Sequence, residues 1–361
     1  MTYNKKVDFH SHYLSKTYYE YLKDFEDEKP DSFPTPKWSA KSHLELMKKL
    51  GIGFAFLSVS SPNLSRADKE AEVEMVHKIN IEGSELVKAH PEKFGLFASL
   101  PLPHEKEAIE EAKFAFEKLN ADGFGLSTHY AGVYLGDKRY DRLMAYLNDI
   151  SAVVDVHPVK PSAIPENVNE ELPIPAMEFL MDTTRTFMNM VMNNIFERFP
   201  NIKWIFPHGG AFISILSDRI GGFAMQFRND LSNKAPIDFK ADMKRVYFDV
   251  AGFSVNKQLY DLLLDVSGEN LLYGSDAPYT PTAACIAQTG ALETTAFLSK
   301  REKGEMFILN AVGLFPKLEK ILDVQSENKA INFATHPLSF SENVFRSVRT
   351  VISKLYSKIF S

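Results

Sequence analysis

The stretch Val7-Asp8-Phe9-His10-Ser11-His12 opens as a short apolar run and ends in two histidines. Side chains two apart on a strand share a face, so His10 and His12 can present two imidazole nitrogens to one metal ion. Alone, such a pair is a weak sign, and its weight depends on the rest of the chain. Comparable short apolar runs recur at 53–59, 94–100, 123–127, 152–157, 204–207, 246–250 and 271–274, which with 7–10 makes eight. Most are unbroken, as expected of parallel strands buried on both faces. Between them lie segments of helical length with apolar residues three and four apart, such as 42–50, 67–90, 105–119, 140–148 and 256–266. Eight alternations predict an α/β protein, a (β/α)8 TIM barrel rather than an open doubly wound sheet. Active sites of such barrels sit at the C-terminal ends of the strands, which is where His10 and His12 fall.

A length of 361 residues permits one large barrel or two ordinary domains. Hydrophobic residues at 45% and charged residues at 24% exclude disordered, collagen-like and coiled-coil chains. The single cysteine, Cys285, excludes an internal disulfide framework and a cysteine-cluster metal site. That absence suits a reducing compartment, and the expected localisation is cytoplasmic. The net charge is −6, and no nucleic-acid partner is expected. No run approaches the length of a membrane span, and the first residues lack the apolar core of a signal peptide.

Three regions lie outside the simple repeat. Residues 13–40 carry Pro30, Pro34 and Pro36 and read as a cap or substrate-side insertion after the first strand. Residues 158–175 read as an irregular loop. The chain from 325 on forms a C-terminal extension in which Val344, Phe345, Val348, Val351, Ile352, Leu355, Tyr356 and Ile359 fall on one helical face within 341–360. That helix packs on its own barrel or a partner subunit, or lies as a basic amphipathic helix on a membrane surface. The division expected is a barrel over 1–322 and a basic amphipathic helical tail over 323–361. A cut within 1–322 would separate the residues described next.

The fifth run ends in Val156-His157-Pro158, the sixth in Pro207-His208-Gly209-Gly210, and the eighth in Gly274-Ser275-Asp276-Ala277-Pro278. A lone histidine or aspartate after a strand is usually a cap or turn residue. Four such placements at one barrel face point instead to a mononuclear metal site. Neutral imidazole and carboxylate suit zinc, manganese or iron(II), and a catalytic site leaves a position open for water.

These segments combine with Asp182-Thr183-Thr184-Arg185, Arg198-Phe199-Pro200, Phe248-Asp249-Val250-Ala251 and Tyr279. Together they resemble the amidohydrolase-related (amidohydrolase 2) family of metal-dependent barrels over about 7–322. The likeness is greatest to its decarboxylase branch, which includes aminocarboxymuconate semialdehyde, 6-methylsalicylate and γ-resorcylate decarboxylases. The resemblance implies that His10, His12, His157 and Asp276 bind one divalent metal ion, zinc first and manganese second, with a water completing the shell. It implies that His208 is the catalytic histidine beside that water, with Asp276 sharing in catalysis. Arg219, eleven residues after His208, matches an arginine that reaches substrate in the neighbouring subunit, which implies a homodimer or higher homo-oligomer. The family also places a catalytic arginine after the first strand. Here no arginine precedes Arg66, and the region offers Lys37, Trp38 and Lys41, so Trp38 is the substrate-contact candidate there.

Other residues receive lesser roles. His129 follows the fourth strand at the correct face and is expected to line the pocket, with Phe212 and Tyr279 as its walls. Asp155 and Asp249 lie within strands, where interior hydrogen bonding is expected. Asp8 is expected to orient the metal ligands and Arg185 to anchor structure beside the barrel. His43, His77, His90, His104 and His336 receive none. The reaction implied is metal-dependent, non-oxidative decarboxylation of a small aromatic or enol-type carboxylic acid, with no organic cofactor. Hydrolysis of a lactone, amide or ester by the same metal-bound water is the alternative, because fold and metal do not fix chemistry. A binding scaffold without activity is disfavoured by the complete ligand set.

Overall fold

Eight strands follow one another round a single sheet in chain order: β1 (Lys6–His12), β2 (Ile52–Ser58), β3 (Phe94–Ser99), β4 (Gly123–Ser127), β5 (Val153–His157), β6 (Lys203–Phe206), β7 (Tyr247–Asp249) and β8 (Leu271–Leu272). All seven pairings are parallel. The ring closes through parallel bridges from Asp8 to Tyr273 and from Ser11 to Ala277. There Phe9 N donates to Tyr273 O at 2.9 Å and His12 N to Ala277 O at 2.8 Å. This computed structural model describes residues 3–26, 29–168, 171–230 and 235–324, and it is the predicted (β/α)8 barrel. The helix expected at 341–360 lies outside the described residues, as does nearly all of the expected tail.

Each apolar run foreseen from the sequence overlaps one strand. β1 and β5 are buried throughout their length, which is why their sequences do not alternate. Phe315 packs on Phe9, Phe56 and Phe97, which come from three strands, with ring centroids 6.1, 4.5 and 6.3 Å away. Burying each of these rings contributes on the order of 1.5–3 kcal/mol. The opposite, C-terminal end of the barrel is where polar side chains collect.

The 13–40 insertion forms a helix, Lys16–Phe25, and a short turn, Pro30–Ser32, before the helix Ala40–Leu50. Ser15 caps the first helix by accepting from Tyr18 N. Its inner face is tied down by hydroxyls. Tyr18 Oη donates to Pro62 O and Tyr21 Oη to Asn63 O, both at 2.8 Å. The insertion therefore sits on the loop after β2, at the active-site end.

The irregular stretch foreseen over 158–175 ends earlier than its last proline. The helix Ile174–Met192 begins with Pro173 as its cap and Pro175 in its first turn. Proline is tolerated there because the first N–H groups have no intrahelical partner. A small hairpin, His129–Tyr130 with Val133–Tyr134, also stands after β4. Its two-residue turn needs positive φ, supplied by Ala131 (48°) and Gly132 (80°). Among the described residues no helix is long and apolar enough to cross a membrane.

Candidate metal centre

β1 delivers His10 and His12 and β5 delivers His157, and one ring nitrogen from each lies within 4.8 Å of the others. His10, His208 and Asp276 form a second such group. Asp276 Oδ1 is 3.5 Å from His10 Nε2 and 3.6 Å from His12 Nε2. All four histidines are buried. The five polar strand-end residues singled out in the sequence thus meet at one point.

The far side of each ring is held. His10 Nδ1 faces Asp249 Oδ2 at 3.0 Å, His12 Nδ1 faces Ser58 Oγ at 3.1 Å, and His157 Nδ1 donates to Pro158 O at 2.8 Å. Engaging Nδ1 fixes the tautomer and turns Nε2 inward. His10 Nε2 and His12 Nε2 are buried and have no hydrogen-bond partner. Leaving such groups unpaired costs about 1–3 kcal/mol each, so they call for something to bind them. Three imidazoles and one carboxylate around such a gap are a donor set that fits a divalent metal ion.

Electrostatics agree with that fit. Burial alone would raise the Asp276 carboxyl, yet His10 and His12 beside it hold it well below the usual carboxylate range. Burial pushes His208 down to about 4, helped by the nearby His10, so its ring is neutral at pH 7. Burial likewise drives His157 down, with His12 and His10 adding to it. His12, His157 and His208 therefore offer neutral nitrogens and Asp276 an ionised oxygen, while His10, against the effect of its burial, is held well above the usual imidazole range by Asp249 and Asp276.

Two of the residues adopt backbone that few non-glycine residues do: His208 has φ 55° and Asp276 has φ 60°. Asp276 is steadied by Thr280 Oγ1, which donates to its Oδ2 at 2.8 Å, while its own N donates to His10 O at 2.7 Å. His208 N donates to Asp249 Oδ1 at 3.2 Å, and Gln258 Nε2 donates to His208 O. Gly252 has φ +63°, and a Cβ there would lie 2.7 Å from His208 Cδ2. Asp8 Oδ1 accepts from His10 N (3.1 Å) and Ser275 N (3.0 Å), joining the two backbones that carry ligand candidates. Asp249, the last residue of β7, hydrogen-bonds in the barrel interior as expected, but to His10 itself. The sequence marked no role for Ser58, Gln258 or Gly252.

The amidohydrolase family model, Amidohydro_2, matches residues 7–317. This chain belongs to the amidohydrolase family. The amidohydrolase chain is 32% identical to the decarboxylase yanB of Aspergillus niger over 89% of this chain and 90% of the relative. It is 27% identical to 6-methylsalicylic acid decarboxylase of Penicillium expansum, over 88% and 98%. A solved amidohydrolase II is 38% identical, with a TM-score of 0.82 over 86% of this chain and 99% of its own. A dihydroxybenzoic acid decarboxylase from Polaromonas, solved with manganese and 2-nitroresorcinol, shares the fold at 19% identity and TM-score 0.73, over 87% and 97%.

The remaining candidates of this amidohydrolase are more scattered. The Tyr279 ring stands edge-on to His12 at 5.7 Å. Phe212 is half-buried, and its N donates to Thr184 Oγ1 at 3.2 Å, tying the turn after His208 to the Asp182–Arg185 segment. His129 has both ring nitrogens engaged by backbone: Nδ1 accepts from Gly132 N (3.3 Å) and Nε2 donates to Lys160 O (3.1 Å). Trp38 is half-buried, with Nε1 donating to His43 Nδ1 at 3.2 Å and its ring beside Tyr13, within the insertion rather than against the histidines. Arg219 is exposed, over the ring of Phe223 at 5.5 Å. Arg185 is exposed and acts electrostatically on Tyr134, whose hydroxyl donates to the buried Asp182 at 2.5 Å.

Proposed function

We propose that this amidohydrolase is a metal-dependent, non-oxidative decarboxylase of a small aromatic carboxylic acid. His10, His12, His157 and Asp276 hold the ion. The observation that carries the reading is the pair of buried, unpartnered Nε2 atoms of His10 and His12 facing Asp276. The decarboxylases among its relatives give the reaction its class. When bound, the ion supplies Lewis acidity toward the substrate's carboxylate or a neighbouring oxygen.

The chain's own groups do the rest. Breaking the bond between ring and carboxylate releases carbon dioxide, and the ring carbon must take up one proton. His208 is neutral, and its buried Nδ1 has no hydrogen-bond partner. It is placed beside Asp276 to relay a proton to the reacting carbon, taking one from solvent on one nitrogen as it gives one from the other. Asp276 stays ionised, held by Thr280. Tyr279 against His12, and Phe179 with its ring 6.0 Å from that of His157, shield the centre from water and offer faces to an aromatic substrate.

The reading includes a homo-oligomer. Ile215, Phe223, Met225 and Phe227 expose apolar side chains around Arg219, a patch suited to a second copy. The donor set suits zinc and manganese alike, and metal analysis of the purified protein decides between them. The activity test incubates zinc- and manganese-loaded protein with salicylate-type acids and follows carbon dioxide release. Release from at least one acid is expected. Turnover of lactones with no release across the panel would overturn the reading in favour of a hydrolase.

A further inference from the structure

Loops after β1, β2, β4 and β5 line an open cavity of about 470 Å³. It adjoins the metal centre, because Val159 in its wall lies two residues beyond His157, and Asp31 in its wall acts electrostatically on Tyr279, the neighbour of His12. Several polar groups of the wall are committed. Arg66 pairs with Glu26 at 2.9 Å, His129 is held by backbone at both nitrogens, and Asn63 Nδ2 donates to His129 O at 2.8 Å.

Asp31 and Lys160 are different. Asp31 Oδ2 accepts from Ser61 Oγ at 2.6 Å, while Oδ1 accepts no hydrogen bond among the described residues. Lys160 Nζ, like Lys29 Nζ in the same wall, has neither a hydrogen bond nor an ion pair among them, and of the two lysines Lys160 is the one that acts electrostatically on Asp31. Burial raises the Asp31 carboxyl above its ordinary value, and the Ser61 hydrogen bond, Lys160 and Arg66 oppose that rise; Lys160 and Asp31 do not close into an ion pair. Asp31 and Ser32 also hold successive left-handed conformations, φ 56° and 60°, a local strain of the kind kept at ligand sites.

A gap between a carboxylate acceptor and an ammonium donor selects a group able to donate to one and accept from the other. A hydroxyl does both. A second carboxylate would be repelled by Asp31, a cation by Lys160, and an alkyl group would satisfy neither. We propose that Asp31 and Lys160 form a distal subsite that reads a hydroxyl carried by the substrate away from the carboxylate it loses. This rests on the aromatic-acid reading above.

The test compares salicylic acid with analogues bearing one further hydroxyl or hydroxymethyl group at each free ring position. Both kcat/KM and the dissociation constant of the metal-loaded protein are measured, for the wild type, Asp31→Ala and Lys160→Met. The readout is the ratio of hydroxylated to parent acid. At least one analogue is expected to be favoured about tenfold by the wild type, and each variant should bring that ratio near one. Lys160 is exposed, so its variant remains informative if Asp31→Ala folds poorly. A wild type that favours no hydroxylated acid, or a preference that survives in both variants, would overturn the subsite. Loss of a binding preference without any carbon dioxide release would uphold the subsite and refute the decarboxylase. Release without a hydroxyl preference would do the reverse.

Discussion

His10 Nδ1 and Asp249 Oδ2 lie 3.0 Å apart with both side chains fully shielded from solvent. The other oxygen of Asp249 receives the N–H groups of His208 and Ala251 at 3.2 and 3.0 Å. One carboxylate from β7 therefore sets both the ring on β1 and the turn carrying His208. A carboxylate behind a metal-binding imidazole locks its tautomer and raises its basicity, and losing it typically costs about 10–100-fold in metal affinity. Asp249→Asn, nearly isosteric, is expected to weaken metal binding by about that factor while the fold persists. Titration against a chelator, with circular dichroism as the control for folding, checks this. Affinity within about twofold of the wild type would remove Asp249 from that role.

Gly252 is expected to be intolerant of any side chain. Alanine there would place Cβ 2.7 Å from the His208 ring, on backbone with φ +63°. Such substitutions at positive φ destabilise by about 1 kcal/mol or more. The displaced ring adds a catalytic loss, so Gly252→Ala should lower kcat at least about tenfold with metal retained. Carbon dioxide release, metal content and denaturant unfolding separate the two effects. A variant that loses stability but keeps kcat would show that His208 need not be held where it is.

The barrel was legible because strands buried on both faces must be apolar throughout, and the polar residue that ends each run then stands out. His10, His12, His157, His208 and Asp276 were found that way. Asp249 was legible only as an interior hydrogen-bonding residue, since its partner His10 is 239 positions away. The helix Ile174–Met192 was not singled out, because its first turn lies among the prolines read as an irregular loop over 158–175. The engagement of both His129 nitrogens depends on a loop closing over it, which no spacing encodes.

Glu72 gives the fold a pH dependence of its own, away from the metal centre. It is 1% exposed, lies 3.2 Å from His104 Nε2, and burial pushes its pKa from the ordinary 4.5 up to about 8. Between those two values the folded protein holds a proton that the unfolded chain has released. Stability from this group is therefore complete below about pH 4.5 and is lost as pH rises through about 8. Glu72→Gln should flatten the wild-type decline across that window, on the order of 5 kcal/mol, and exceed the wild type in stability above it. Denaturant midpoints measured across the range check this. Parallel curves for the two proteins would mean that Glu72 is ionised in the folded state throughout.

Arg219 and Phe223 bear on how the site is completed. The guanidinium lies over an exposed ring that itself stacks on Phe227 at 6.2 Å, with Ile215 and Met225 exposed nearby. An exposed cation–π pair contributes only about 0.5–1 kcal/mol, too little to keep so much apolar surface in water. A second copy covering this patch would bury the rings and carry Arg219 toward the neighbouring site. Phe223→Glu combined with Phe227→Glu should therefore yield monomers in sedimentation, with metal content unchanged. Arg219→Ala should keep the oligomer and the metal but raise KM for the acid. A double variant that retains its mass would show that the patch is not the interface. A monomer with unaltered KM would show that Arg219 does not act across one.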